Sequence, residues 1–288
     1  MIAKTFWRGL PDRMRPVESI REVTDAVNAA RTNAPEYCSN FFPAPPKLQG
    51  WITRGELFCD QRGGVNFFWR KDRGFWHLYF CAASPALLQQ SVTALPLMGT
   101  EPVVLDLVGK EPALADMVGR FVSAGFHIHS RLLRMARSVP SAEGGLKSAS
   151  DSRVVLAGPT DCQPVLDLLM RSFDCRAEQI PALNEIEAAV AARQILVVHC
   201  ADTLAGLLFF ETQGLSSLLR YWLVESGFRS QNFGSGLMRQ YFAEHPSVRR
   251  FLLWVVASNR DAIGKYEHYG FAPEGLVDYV LANDKIRL

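Results

Sequence analysis

Gln231-Asn232-Phe233-Gly234-Ser235-Gly236 closes one hydrophobic run and opens another segment of different periodicity. Ahead of it lie Leu218, Leu219, Tyr221, Trp222, Leu223 and Val224, apolar enough for a strand covered on both faces. Behind it Leu237, Met238, Tyr241 and Phe242 recur at helical spacing. A strand that ends in a glycine loop and runs into a helix leaves the first-turn N–H groups unbonded. It also aims the positive end of the helix dipole at whatever lies in front. A phosphate suits that place, and two glycines let the backbone approach it closely. Read alone, the six residues describe a tight turn better than a phosphate site.

The residues that follow decide between the two readings. Asn259, Ala262, Tyr266, Gly270 and Phe271 fall in the pattern N-x-x-A-x-x-x-Y-x-x-x-G-F. The order Q-x-x-G-x-G, then a helix and a strand, then this second pattern, resembles the acyl-CoA-binding core of the GCN5-related N-acetyltransferases (GNAT). The rest of residues 153–288 can be read in the order such a core requires. A short strand at 153–156 precedes a helix for which Asp161 is a suitable N-cap, bearing Val165, Leu166, Leu168, Leu169 and Phe173. A second helix is expected over about 183–193, with strands at 195–200 and 204–212 joined by Ala201-Asp202. The strand at 218–224, the glycine loop and its helix come next. A strand at 251–257, a helix at 260–268 and a strand at 275–281 complete the set.

The first half carries a fainter copy. Phe121 to Phe126 aligns without a gap on Tyr266 to Phe271, each after a strand candidate and a helix, and residues 67–69 and 75–81 read as a hairpin. The copy lacks the glycine loop, with Ser84-Pro85-Ala86-Leu87-Leu88 in its place, and Phe121 stands where the phenol would be. The expected fold is therefore α/β, two GNAT-like domains, each a mixed, mostly antiparallel sheet flanked by helices. Residues 1–137 form the diverged, non-catalytic copy, 138–152 a Gly- and Ser-containing linker, and 153–288 the catalytic domain.

Size and composition agree with an ordinary two-domain globular chain. There are 288 residues, 48% of them hydrophobic, with a net charge of +2. Residues 1–150 hold 18 Lys/Arg against 13 Asp/Glu, an excess too small for a nucleic-acid surface. No apolar run is long enough for a membrane span. The six cysteines show neither a C-x-x-C pair nor metal-ligand spacing, and His127-x-His129 lacks a third ligand. A cytoplasmic protein without a metal, a nucleic-acid partner or a membrane is expected; the oligomeric state is left open.

The resemblance implies an acyl-CoA-dependent N-acyltransferase, with acetyl-CoA as cosubstrate and an amine-bearing acceptor in a ternary complex. Amides around Asn232, Gly234, Ser235 and Gly236, with Gln231 and Arg229, would hold the pyrophosphate. Leu223 and Val224 would meet the pantetheine arm and polarise the acyl carbonyl. Asn259 would touch the same arm or cap its helix, and Tyr266 would protonate the leaving thiolate. For the base, Glu211 at one strand end is preferred to Glu225 at the next, with Tyr221 and His199 as further possibilities. The rival readings are a longer acyl-CoA or an aminoacyl donor on the same fold, or a binding protein without activity.

Overall fold

The computed structural model describes residues 14–32, 34–93, 101–139 and 152–284. Two compact units emerge, Met1–Arg131 with Val277–Leu288, and Leu132–Leu276. The chain passes from one to the other inside two strands, and most of the expected linker at 138–152 lies outside the described residues.

In the first unit the elements are β1 (Arg15–Pro16), α1 (Ile20–Arg31), β2 (Cys38–Ser39), α2 (Pro45–Thr53), β3 (Leu57–Arg62), β4 (Val65–Asp72) and β5 (Phe75–Ala82). After them come α3 (Pro85–Val92), β6 (Val103–Lys110), α4 (Glu111–Ser123) and β7 (His127–Ser138), the strand within which the chain leaves this unit. The hairpin expected from the aromatic run is present, β4 pairing antiparallel with β5 from Val65↔Ala82 to Asp72↔Phe75. Every residue of β5 is buried, which explains why the run reads as continuously apolar rather than alternating. One face of this sheet packs Phe58, Phe67, Trp69, Leu78 and Phe80 with residues of α3 and α4. The other packs Leu57, Phe68, Tyr79 and Cys81 with residues of α1 and α2.

The second unit contains β8 (Val154–Leu156), α5 (Cys162–Ser172), α6 (Leu183–Ala191), β9 (Ile195–Cys200), β10 (Thr203–Gln213) and β11 (Ser216–Val224). These are followed by α7 (Phe233–Glu244), β12 (Arg250–Val256), α8 (Arg260–His268) and β13 (Ala272–Asn283), whose second half belongs to the first unit. Its strands run in the order β7-β12-β11-β10-β9-β8. All are antiparallel except β11 and β12. One face buries Leu208, Phe210, Phe251 and Leu253 under α7 and α8, the other Ile195, Val197, Leu207 and Phe209 under α5 and α6. Each expected element of this half is found, with ends shifted by at most three residues. Asp161 has a different role from the one expected: its carboxylate accepts from Gly158 N–H at 2.7 Å and bonds the His199 ring at 2.9 Å, and caps no amide of α5. No helix among the described residues is long and apolar enough to cross a membrane.

Candidate active site

Parallel strands β11 and β12 pair only from Ser216↔Arg250 to Leu219↔Leu253. Beyond that, residues 220–224 and 254–256 part and leave a wedge between the two edges. The register of β10 and β11 slips by one residue between Phe209 and Phe210, so Arg220 has no partner opposite it. Such a bulge bends and twists the strand it interrupts. Glu225 N–H bonds Ala205 O, and alternate peptides in an antiparallel strand point in opposite directions. The peptides of Val224 and Trp222 therefore face the wedge, whereas that of Leu223 turns to β10. A Cβ on Gly206 would come within 2.8 Å of Leu223 O, so only glycine lets β10 lie this close.

The glycine loop closes the wide end of the wedge. A 3-10 turn over Ser226–Gln231 leads to Asn232 in the left-handed region (φ 60°), a conformation asparagine tolerates better than most residues, and α7 starts at the next residue. Gly236 N–H bonds Asn232 O at 3.1 Å. Among the described residues the first-turn donors without a hydrogen bond are thus Phe233, Gly234 and Ser235; of the expected set, Gly234 and Ser235 stay, Gly236 is bonded, and Phe233 is added. Gln231 and Asn232 are exposed. Arg229 Nε reaches Val224 O at 3.5 Å. A second cation, absent from the sequence reading, is nearer the loop: Arg153 Nη1 donates to Gln231 O at 3.3 Å, and its guanidinium lies 5.0 Å from the Phe233 ring centroid.

Trp222 joins the loop, the strand end and α8. Its indole N–H donates to Gly234 O at 3.1 Å, its ring is 5.6 Å from Tyr266 and 5.7 Å from Tyr269, and a Cβ on Gly234 would touch it at 3.4 Å. Asn259 is the N-cap of α8, accepting from Ala262 N–H at 3.1 Å. Tyr266, two turns further on, is 8% exposed, and its hydroxyl makes no hydrogen bond among the described residues. Burial pushes that phenol well above its ordinary pKa, and the negative charge of Glu178 adds to the shift.

Glu178 is a further residue the sequence did not disclose. It lies in the segment between α5 and α6, half-buried, and burial pushes its carboxyl up to about 7. The Asp174 N–H opposes that rise, and the Asp174 carboxylate adds to it. By contrast, Glu211 is bonded to Arg220 at 2.6 Å and is exposed, near the end of β10 remote from the Gly206↔Val224 pair. Glu225 follows β11 and is bonded to Arg171 at 2.7 Å. The hydroxyl of Tyr221 donates to Glu178 O and Gln179 O. His199 is held on Asp161.

The equivalent place in the first unit is closed. β5 and β6 pair in parallel only at Trp76↔Val103 and His77↔Val104. Where they part, Asn40 fills the gap: its amide donates to Leu78 O and Asp106 O at 3.1 Å, and its carbonyl accepts from Phe80 N–H at 2.7 Å. At the start of α3, Ser84 Oγ accepts from Leu87 N–H and Pro85 has no amide proton. The helix start therefore has few donors left. Phe121 is fully buried against Phe80 and Phe126.

No family model and no curated protein matches this sequence. Solved structures do. A tandem GNAT protein from the clavulanic acid biosynthesis pathway, in a structure without AcCoA, aligns over 96% of this chain and 99% of its own, at a TM-score of 0.58 and 13% identity. A GCN5-related N-acetyltransferase from Sphaerobacter thermophilus covers 95% and 96% at 0.55 and 13%. A GNAT-family acetyltransferase from Colwellia psychrerythraea covers 93% and 98% at 0.53 and 11%.

Proposed function

We propose that this chain, which has the tandem GCN5-related N-acetyltransferase fold, transfers an acyl group from acyl-CoA to an amine and does so in its second unit. The observation that carries this reading is the meeting of three features at Trp222: the open wedge between β11 and β12, the unbonded amides of α7, and the buried phenol of Tyr266. The pyrophosphate is held by the amides of Phe233, Gly234 and Ser235, with Arg153 and Arg229 adding charge. The pantetheine arm lies along the strand edge, bonding the peptides of Trp222 and Val224. One of those N–H groups faces the acyl carbonyl, where an oxyanion donor is worth about 10²–10³ in rate.

The amine arrives neutral, and its lone pair attacks the thioester carbon. The N–C bond forms, the C–S bond breaks, and the electron pair leaves on sulfur, which takes the Tyr266 proton. The surplus proton on nitrogen passes to a base on the acceptor side. The raised pKa suits Tyr266 to this role, because a phenol held protonated can donate when the thiolate appears. Acetyl-CoA is the donor we favour, and a primary amine the acceptor. The first unit binds no acyl-CoA, because Asn40 occupies the corresponding wedge.

Calorimetric titration with acetyl-CoA tests this directly. We expect one site per chain, lost in G234E/G236E with the melting temperature checked alongside. Release of free thiol should accompany turnover with a panel of primary amines. A wild-type chain that binds neither acetyl-CoA nor a longer acyl-CoA defeats the reading.

A further inference from the structure

We propose that Glu178 takes the proton from the attacking amine, working from the sheet face opposite the one that carries Tyr266. The inference rests on the acyl-transfer reading and deepens it.

Tyr266 belongs to the core under α7 and α8, and the segment bearing Glu178 joins the two helices that cover the other face. Tyr221 lies on the stretch of β11 that has parted from β12, and its hydroxyl holds the Glu178 carbonyl at 2.7 Å, which sets this segment over the opening. Two groups on opposite faces of a sheet feel each other where its strands separate, and here that place is the wedge. The acid and the base then flank the point at which amine, thioester and leaving sulfur must meet. Glu211 and Glu225 are engaged by Arg220 and Arg171, whereas Glu178 is half-buried on the segment that Tyr221 holds.

The segment is held firmly. Tyr221 Oη donates to Glu178 O at 2.7 Å and Gln179 O at 3.1 Å, and Arg220 Nη2 reaches Gln179 O at 3.5 Å. Gln179 itself is left-handed (φ 43°), a conformation a non-glycine side chain keeps only when its surroundings impose it. Asp174 N–H donates to Glu178 Oε2 at 3.2 Å, and the other carboxylate oxygen makes no hydrogen bond among the described residues. Tyr221 and Arg220 are thus positioning residues. The bulge at Arg220 is what lets both side chains reach the same segment.

Several charges bear on Glu178. Asp174 on its own segment disfavours its ionisation, Arg220 on β11 is engaged by Glu211 on β10, and Tyr221 and Tyr266 are neutral phenols. The sum leaves a carboxyl near half-ionised at neutral pH, where a general base is most effective.

The test is the pH dependence of kcat for the wild-type chain and for E178Q. Acetyl-CoA and the best acceptor among an amino-acid amide, a polyamine and an aminoglycoside are the substrates. The wild-type rate should rise as pH passes through about 7 and then level. In E178Q that rise should vanish and kcat fall about 10²-fold or more, while calorimetric affinity for acetyl-CoA stays within twofold. Y221F, which loosens the segment without removing the base, should keep the rise with a smaller loss of kcat. An unchanged pH profile in E178Q overturns the assignment to Glu178 alone. Acetyl-CoA binding without turnover on any of the three amines defeats the acyl-transfer reading, and this inference with it.

Discussion

At the scale of single residues, the proposed reaction separates groups that hold the site from groups that would act in it. Trp222 and Gly234 make contacts that fix a shape: one indole hydrogen bond and one glycine surface set the loop against the strand end. Tyr266 makes none through its hydroxyl among the described residues, although it is almost fully buried. Removing a hydroxyl that bonds no described protein group forfeits no hydrogen bond, so its loss should not weaken the fold. Y266F should therefore melt at or slightly above the wild-type temperature and bind acetyl-CoA within twofold. Its kcat should drop about 10²-fold, the usual scale for a positioned acid. Thermal melting, calorimetry and thiol release on one preparation check all three. An unaltered kcat removes Tyr266 from the mechanism.

At the scale of elements, the two units treat the same opening between parallel strands in opposite ways. β11 and β12 leave theirs free, and β5 and β6 have theirs bridged by a single side chain that satisfies two carbonyls and one amide. Removing that side chain strands three backbone groups, each worth on the order of 1 kcal/mol or more. N40A should lower stability by about 1–3 kcal/mol in urea unfolding and leave acetyl-CoA stoichiometry at one per chain. A second acetyl-CoA per chain in N40A would mean that the side chain, and not the unit, is the barrier. What the sequence made legible follows the same division. The glycine loop, the helical stripe of Leu237, Met238 and Tyr241, and the spacing from Asn259 to Tyr266 are local patterns, and local geometry imposes them. Asn40 and Glu178 are not local: one bridges to Asp106, and the other is anchored by Tyr221, both far along the chain. No periodicity marks either residue, because each is fixed by strands that only the folded sheet brings near. The division of the chain inside β7 and β13 escaped for a similar reason, since nothing in either strand's composition changes where it changes unit.

On the scale of the whole molecule, the first unit buries titratable groups where a core would be apolar, and that sets how its stability must answer to pH. His77 is fully buried, 3.9 Å from the Asp106 carboxylate, and neither ring nitrogen makes a hydrogen bond among the described residues. Burial, with the charges of Arg70 and Lys47, holds its pKa well below the ordinary value. A base depressed in the fold stabilises above its unfolded pKa near 6.5, and that stability is lost as pH falls. Asp278 acts in the opposite sense. Burial first, and the neighbouring Asp106 second, hold its carboxyl well above the ordinary carboxylate range, while Leu107 N–H offsets part of the shift. A raised acid stabilises fully below its unfolded pKa near 4, and the contribution is lost as pH climbs through the folded value. The unit is thus undermined by His77 on the acid side and by Asp278 on the alkaline side. D278N keeps an acceptor for Leu107 N–H and removes the titration. It should raise the melting temperature by a few degrees at pH 8, with the gain fading toward pH 4, where the wild-type carboxyl is protonated in both states. Differential scanning calorimetry across that range checks it. A gain that does not shrink with acidity would mean that Asp278 is not held protonated in the fold, and that the charge on this face is balanced by other groups.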